Sequence, residues 1–515
     1  MQVNQLKAGT ILNYMIILLN TLVGLLYTPF MIHKLGQSEY GLYSLVASVI
    51  AYLTILDFGL GNAVVRYTAK LRAENKTEEQ YEMFGTFTIL YTVIGAIALV
   101  LGMGLYFNVE TIFGDTMTAL ELDKARIMMI LLVFNLAVTF PLSIFGSIIT
   151  AYEHFIFPRV VNIIRIILNT GVMVALLTMG YKAIALVIVQ TVLNIAVLLL
   201  NLIYCRKRLQ IKIYFRKFKW DFLKEIAIYS FWIFLNVIMD KIYWSTGQFV
   251  LGAIVGTAAV AIYAVAIQLQ TMYMQFSIAI SSVFLPKVTS IVATSNDNKV
   301  ISDLFIRTGR VQYIIMAFIF FGFTAFGRTF IHLWVGPEYD QVYFICLMFF
   351  ASLLAPLIQN LGISLLQARN QMKFRSLSYV VIALVSLFFQ VWLAKDFGGM
   401  GCAIAVSAAL LIGQGLVMNI YYAKKQGLDI ISFWKEIIKM SVAPVAVTAV
   451  TMVILSNVDI ESWTKLLLGV ALFTVVYLPL FWIFSMNESE RDIITKPLSK
   501  ITRKFKSVKN GADTE

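Results

Sequence analysis

The chain has 515 residues, of which 60% are hydrophobic and 13% charged, and its 41 Lys and Arg against 28 Asp and Glu give a formal net charge of +13. Soluble domains average about 45–50% apolar and 25% charged residues, so a single globular core is excluded. Three scattered cysteines (Cys205, Cys346, Cys402) and three isolated histidines (His33, His154, His332) form no disulfide framework and no metal-ligand spacing.

Apolar runs long enough to cross a bilayer recur about fourteen times. They are predicted at 9–33, 40–69, 83–107, 125–152, 158–180, 183–205, 222–252, 258–290, 303–333, 341–369, 374–395, 400–423, 433–456 and 463–485. An unpaired amide in hydrocarbon costs several kcal/mol, so these runs are expected to be helices. The first run is too long for the short core of a cleavable signal peptide and is expected to stay in the membrane.

With the N-terminus placed inside, Lys and Arg crowd alternate loops: Lys70/Arg72/Lys76, the run from Arg206 to Lys224, Lys287 to Arg310, Arg369/Lys373/Arg375, Lys424 to Lys439, and Arg491 to Lys509. The other loops hold only Lys34, Lys124, Arg126, Lys182, Arg328, Lys395 and Lys465. This is the bias of the positive-inside rule, and it predicts two cytoplasmic termini. Basic charge spent on topology and on anionic headgroups speaks against a nucleic-acid partner.

The chain also repeats itself. Gly36 and Tyr43 recur as Gly256 and Tyr263, an offset of 256 − 36 = 220, and the same offset carries Ala183-Ile184-Ala185 onto Ala403-Ile404-Ala405. Pro141-Leu142…Phe157-Pro158-Arg159 is echoed by Pro356-Leu357…Phe374-Arg375 at a slightly shorter offset. The expectation is an all-α polytopic membrane protein, with two parallel six-helix repeats around a central cavity plus two C-terminal helices. In residues, that is a bundle at 1–207, a basic connector at 208–220, a second bundle at 221–425, two more helices at 432–486 and a basic tail at 487–515. Substrate sites of parallel-repeat transporters lie between the halves, near the midplane.

A charge at the centre of a spanning helix costs roughly 2.5–3.5 kcal/mol on insertion scales and must face a partner or a cavity. Asp57, Arg66, Arg165 and the pair Asp240-Lys241 are such charges. On a continuous helix, Asp57 and Arg66 stand on opposite faces about 13 Å apart along the axis and cannot pair. Helical spacing places Asn162, Arg165 and Asn169 on one stripe, and Asn236, Asp240, Tyr243 and Gly247 on another. Gln268, Thr271 and Gln275 form a third stripe. Interhelical pairing and cavity lining are both open readings for these residues; the uncharged stripe Gln190/Asn194/Asn201 reads as interhelical glue. Glu39 reads as a charge at a helix start. The cationic candidates Arg66, Arg165 and Lys241, with Asn162, Asn169, Asn236 and Gln268, suit a phosphate or pyrophosphate group and sugar hydroxyls. Asp57 and Asp240 are the available carboxylates for a coupling ion. No P-loop, metal cluster or nucleophile elbow is present, so neither an enzyme nor a cofactor is expected.

The stretch Gly36-Gln-Ser-Glu-Tyr-Gly-Leu-Tyr43, Asp57-Phe-Gly-Leu-Gly61 with Arg66, Phe249-Val-Leu-Gly252…Val260-Ala-Ile-Tyr263-Ala-Val-Ala266 and Leu366-Gln-Ala-Arg369 resemble bacterial polysaccharide flippases of the O-antigen type (Wzx-like). That family belongs to the multidrug/oligosaccharidyl-lipid/polysaccharide exporter superfamily. Where members commonly carry an Asp before the Phe-x-Leu-Gly stretch, this chain has Gly247-Gln248, with Asp240 nearly two turns earlier. The resemblance implies translocation of an undecaprenyl-pyrophosphate-linked oligosaccharide across the bacterial inner membrane by alternating access. It also implies a lipid-linked oligosaccharide substrate and polysaccharide polymerase and chain-length machinery as partners. A drug–cation antiporter of the same superfamily and a membrane-embedded glycosyl- or acyltransferase stand as alternatives.

Overall fold

The computed structural model describes residues 5–215, 220–294, 297–369, 371–492 and 495; these are helical nearly throughout and contain no strand. The first expected span is α1 (Gln5–Leu35). The second is not a single helix. α2 (Gln37–Leu53) tightens into a 3-10 turn at Thr54–Asp57, Phe58 and Gly59 both turn left-handed (φ 49° and 70°), and α3 (Leu60–Ala73) resumes. Glycine reaches that region without cost, whereas Phe58 bears roughly 1–2 kcal/mol of backbone strain.

The chain continues through α4 (Thr77–Phe107), the short α5 (Val109–Phe113), α6 (Ala119–Ala151), α7 (Ile156–Thr178) and α8 (Ala183–Lys207). In the basic connector, residues 216–219 lie outside the described residues, and Tyr214 packs on α4, its amide donating to the Tyr81 carbonyl at 3.1 Å. Next come α9 (Trp220–Trp244), a break at Ser245, α10 (Thr246–Ile254), α11 (Thr257–Thr294), α12 (Asn298–Val335), α13 (Gln341–Ile358) and α14 (Asn360–Ala368). α15 (Met372–Leu410) bends at Gly398, whose φ and ψ are not helical, and leads through a π-helical segment at Leu411–Val417 into α16 (Met418–Gln426). α17 (Ile430–Leu455) and α18 (Trp463–Phe484) complete the described helices, and most of the expected basic tail lies outside the described residues.

Among the described residues, twelve helical segments are long and apolar enough to cross a membrane, against the fourteen expected. The expected spans 374–395 and 400–423 fall on one of the twelve, Met372–Gln426, and the expected span 222–252 falls on α9 and α10, which are not among them. Gly36 and Gly256, related by the 220-residue offset, both take positive φ (86° and 120°) directly before a helix.

The chain forms two compact units: one holds residues up to Met272 with Phe344–Phe349 and Met372–Gly413, the other Tyr273–Tyr343, Phe350–Gln371 and the chain from Gln414 onward. This partition cuts across the expected bundles. In the first unit α6 packs on α2, α3, α4, α5 and α8, α7 packs on α1 and α8, and α9 and α10 pack on α15. Where α2 and α11 begin, one carboxylate joins three helix starts. Glu121 accepts from the amide and hydroxyl of its own N-cap Thr118 (2.9 and 2.8 Å), from Thr257 Oγ1 at 2.9 Å and from Ser38 Oγ. A Cβ on Gly41 would stand 1.9 Å from the Thr257 carbonyl oxygen, so only glycine admits this approach. Glu39, nearby, pairs with Lys124 at 2.5 Å and accepts from the Ala183 amide, so it joins α2, α6 and α8 rather than only opening its own helix.

In the second unit α12 packs on α14, α17 and α18. Arg310 of α12, 4% exposed, grips the buried Glu490 with two bonds (2.5 and 2.9 Å), donates to the Ser485 carbonyl at 3.0 Å and reaches Glu436 of α17.

Candidate functional site

Asp57, Arg66, Asn162, Arg165, Asn169, Asn236, Asp240, Lys241 and Gln268 all lie in the first unit. Asp57 ends the 3-10 turn at the break in the second span. Its half-buried carboxylate accepts from the Tyr91 hydroxyl of α4 and from the Gly59 amide, and Tyr91 in turn bonds Ser143 of α6. Phe58, thrown outward by its left-handed backbone, packs on Phe234 of α9 with ring centroids 4.6 Å apart. The expected opposition of Asp57 and Arg66 across one helix is therefore corrected. A count of 100° per residue does not run through two left-handed residues, and α3 carries Arg66 on a separately aimed axis.

A second cluster joins α9 and α15. Arg375, in the first turn of α15, donates to Asn236 Oδ1 at 3.5 Å and lies over the Tyr379 ring, 4.4 Å from its centroid. Arg375 and Lys241 interact electrostatically with Asp240, whose exposed carboxylate makes no ion-pair contact within 4 Å among the described residues. The Arg375 Nε is buried and without a hydrogen-bond partner among the described residues. The cluster thus holds Asn236 and Asp240 of one expected stripe, with Lys241 beside Asp240, and adds Arg375 and Tyr379. The sequence reading grouped Arg375 with the basic residues of a loop, although the expected span 374–395 and its echo of Arg159 in the repeat both put it at a helix start.

Elsewhere the stripes divide. Arg165, half-buried on α7, bonds its stripe neighbour Asn162 at 3.2 Å, and Asn169 donates to Met173 Sδ at 3.4 Å. Arg66 is exposed on α3, its guanidinium 5.9 Å from the Tyr67 ring. Gln268 is different. Its amide nitrogen donates to the Gly24 carbonyl (3.0 Å) and Thr28 Oγ1 (2.7 Å), and its oxygen accepts from Thr28 at 3.0 Å. An amide occupied this way holds α11 on α1, the interhelical one of the two readings left open for this stripe. The uncharged stripe on α8 acts as glue, as expected: Asn194 donates to Asn135 and Thr139 of α6, both at 2.8 Å.

The second unit holds an apolar groove between α12, α17 and α18. One part encloses about 420 Å³ against Phe326, Val450, Leu472, Phe473 and Val476, and the adjoining part, about 430 Å³ and sharing Ala446 and Val447, reaches Lys439. Among the described residues no three His, Cys, Asp or Glu side chains gather as a metal site would require.

Broken apolar helices carrying charged and amide side chains define a multi-pass membrane transporter fold. The structure is similar to that of the lipid II flippase MurJ in an inward closed conformation, with a TM-score of 0.72 at 18% identity over 94% of this chain and 99% of that one. It is also similar to an inward-facing multidrug resistance MATE family transporter of the MOP superfamily (0.58, 12% identity, 78% and 99% covered). A third similarity is to the MATE multidrug transporter DinF-BH (0.52, 14% identity, 81% and 94% covered). Residues 6–292, more than half of the chain, match the family described as polysaccharide biosynthesis protein, and the chain belongs to that family. No curated protein matches the sequence. The resemblance carried by Gly36–Tyr43 and Asp57–Gly61 is upheld for family and superfamily fold.

Proposed function

We propose that this protein translocates an undecaprenyl-pyrophosphate-linked oligosaccharide from the inner to the outer leaflet of the bacterial inner membrane, both termini being cytoplasmic. The observation that carries this reading is the concentration of cationic and amide side chains on membrane helices of one unit: Arg66, Arg165 with Asn162, Asn236 beside Arg375, and Lys241 near Asp240. Arginine stays charged when partly desolvated and matches phosphate bidentately, while amides serve sugar hydroxyls. The glycan would pass through a hydrated cavity between two six-helix halves by alternating access, and the apolar groove of α12, α17 and α18 would take the polyprenyl tail. Asp57 and Asp240 would serve the coupling ion. Polysaccharide polymerase and chain-length machinery would take up the product.

The test is glycan export in cells lacking their own flippase. Arg66→Ala and Arg165→Ala should each cut export, since a charge-assisted bond lost is worth about 1.5–3 kcal/mol, roughly ten- to a hundred-fold in affinity. Unimpaired export by both variants at normal protein level would refute the assignment. Extrusion of lipophilic cations with no glycan export would instead favour the drug antiporter.

A further inference from the structure

Arg375 was not among the site candidates read from the sequence, yet its surroundings are those of a binding group held ready. The Tyr379 ring, 7% exposed, lies 4.4 Å beneath the guanidinium and fixes its plane by cation–π attraction. A guanidinium carries five N–H donors in a rigid fork. Toward α9 it makes one bond among the described residues, the long 3.5 Å contact to Asn236; it also bonds the Tyr379 side chain, and its buried Nε has no hydrogen-bond partner among the described residues. Asp240 interacts electrostatically with the arginine without closing an ion pair on it among the described residues. A purely structural arginine looks different, as Arg310 shows: its fork is closed on Glu490, Glu436 and the Ser485 carbonyl. Lys241 supplies a second cation beside Asp240.

We infer that Arg375 also takes the pyrophosphate of the substrate, alongside the arginines named above, and that Asp240 is its resting counter-charge, displaced when the anion binds. Asp240 and the pyrophosphate then compete for one fork. Loading exchanges one carboxylate for a dianionic group that Arg375 grips through two parallel N–H bonds, with Lys241 alongside. Release reverses the exchange, so the empty carrier is never left with an uncompensated arginine in the membrane. This rests on the proposed function for the identity of the anion, but the competition belongs to Asn236, Asp240, Arg375 and Tyr379.

The test is equilibrium binding of geranylgeranyl pyrophosphate to the full-length protein in neutral-lipid nanodiscs, with geranylgeraniol as the uncharged comparison. Asp240→Asn should tighten pyrophosphate binding by about ten-fold, because it removes the competitor. Arg375→Gln should weaken it by about ten- to a hundred-fold and Arg375→Lys by less, since lysine lacks the fork. The double variant Asp240→Asn/Arg375→Gln should bind like Arg375→Gln alone. Unchanged or weaker binding by Asp240→Asn would overturn the inference, leaving a structural ion pair. So would unchanged binding by Arg375→Gln. If Arg375→Gln does not purify folded, the Asp240→Asn result decides alone. Failure of the unmodified protein to prefer the pyrophosphate over the alcohol would sink the lipid-pyrophosphate reading as a whole, a result separate from either variant's.

Discussion

Removing Arg310 should unfold the second unit far more readily than removing Arg310 and Glu490 together. Glu490 is 1% exposed and Arg310 4%, and the two share bonds at 2.5 and 2.9 Å. Arg310→Met strands a buried carboxylate without its cation, a loss of about 3–5 kcal/mol when one partner of a buried pair is deleted. That is roughly a hundred- to several-thousand-fold in the folding equilibrium. Glu490→Gln is milder, because Arg310 keeps Glu436 and the Ser485 carbonyl, and should cost about 1.5–3 kcal/mol as one charge-assisted bond weakens. Arg310→Met with Glu490→Met removes both charges and leaves apolar volume in their place, a change that is often close to neutral. The measurement is equilibrium unfolding of purified protein in mixed micelles, with intrinsic tryptophan fluorescence as the probe. If the double variant is as unstable as Arg310→Met alone, the cost comes from lost packing rather than from an orphaned charge, and the reasoning fails.

Other expectations follow from single contacts. Tyr91→Phe removes a donor from Asp57 and should reduce ion-dependent transport in vesicles with little loss of protein, whereas Asp57→Asn should abolish the dependence on a pH or Na⁺ gradient; gradient-independent flipping by the unmodified protein would contradict both. Gln268→Leu should cost about 0.6–1.5 kcal/mol of stability while pyrophosphate affinity stays level, and an affinity loss would return Gln268 to the substrate site. Asp429 caps α17 through the Ser432 amide at 2.9 Å, so Asp429→Ala should lower stability by about 1 kcal/mol in thermal unfolding. The Ser432 bonds hold the Asp429 carboxyl below its ordinary value, so its contribution is complete above about pH 4 and fades as pH falls through the lowered value. A stability slope between pH 5 and 8 that disappears in Asp429→Asn would run against this sign.

The apolar runs made the helices legible because lipid leaves the backbone no other arrangement. Their interruptions were harder to read. In Asp57-Phe-Gly-Leu-Gly61 the glycines permit a break, but nothing local requires one; Tyr91 and Phe234, distant in sequence, hold it open. Periodicity placed Asn236 and Asp240 on one face correctly, since it needs only a continuous α9. It could not find Arg375, because a basic residue beside a basic loop satisfies the positive-inside rule whether or not it enters the membrane. Nor could it separate Gln268 from Asn236: both are amides on polar stripes, and only the proximity of Thr28 and Gly24 shows that one is already occupied.

The approach of Gly41 to the Thr257 carbonyl makes this position a lever on conformational populations. A methyl group there meets backbone, which cannot swing aside as a flexible side chain would, so the starts of α2 and α11 must separate by more than an ångström to reach ordinary contact. Gly41→Ala therefore acts as a wedge. It penalises the arrangement in which Ser38, Glu121 and Thr257 share hydrogen bonds and leaves untouched any arrangement in which these helix starts are already apart. A protein that alternates between the two would be driven toward the second by a single carbon atom, without contact with the residues proposed to meet substrate. The substitution would thereby turn a packing constraint into a means of holding the transporter in one stage of its cycle.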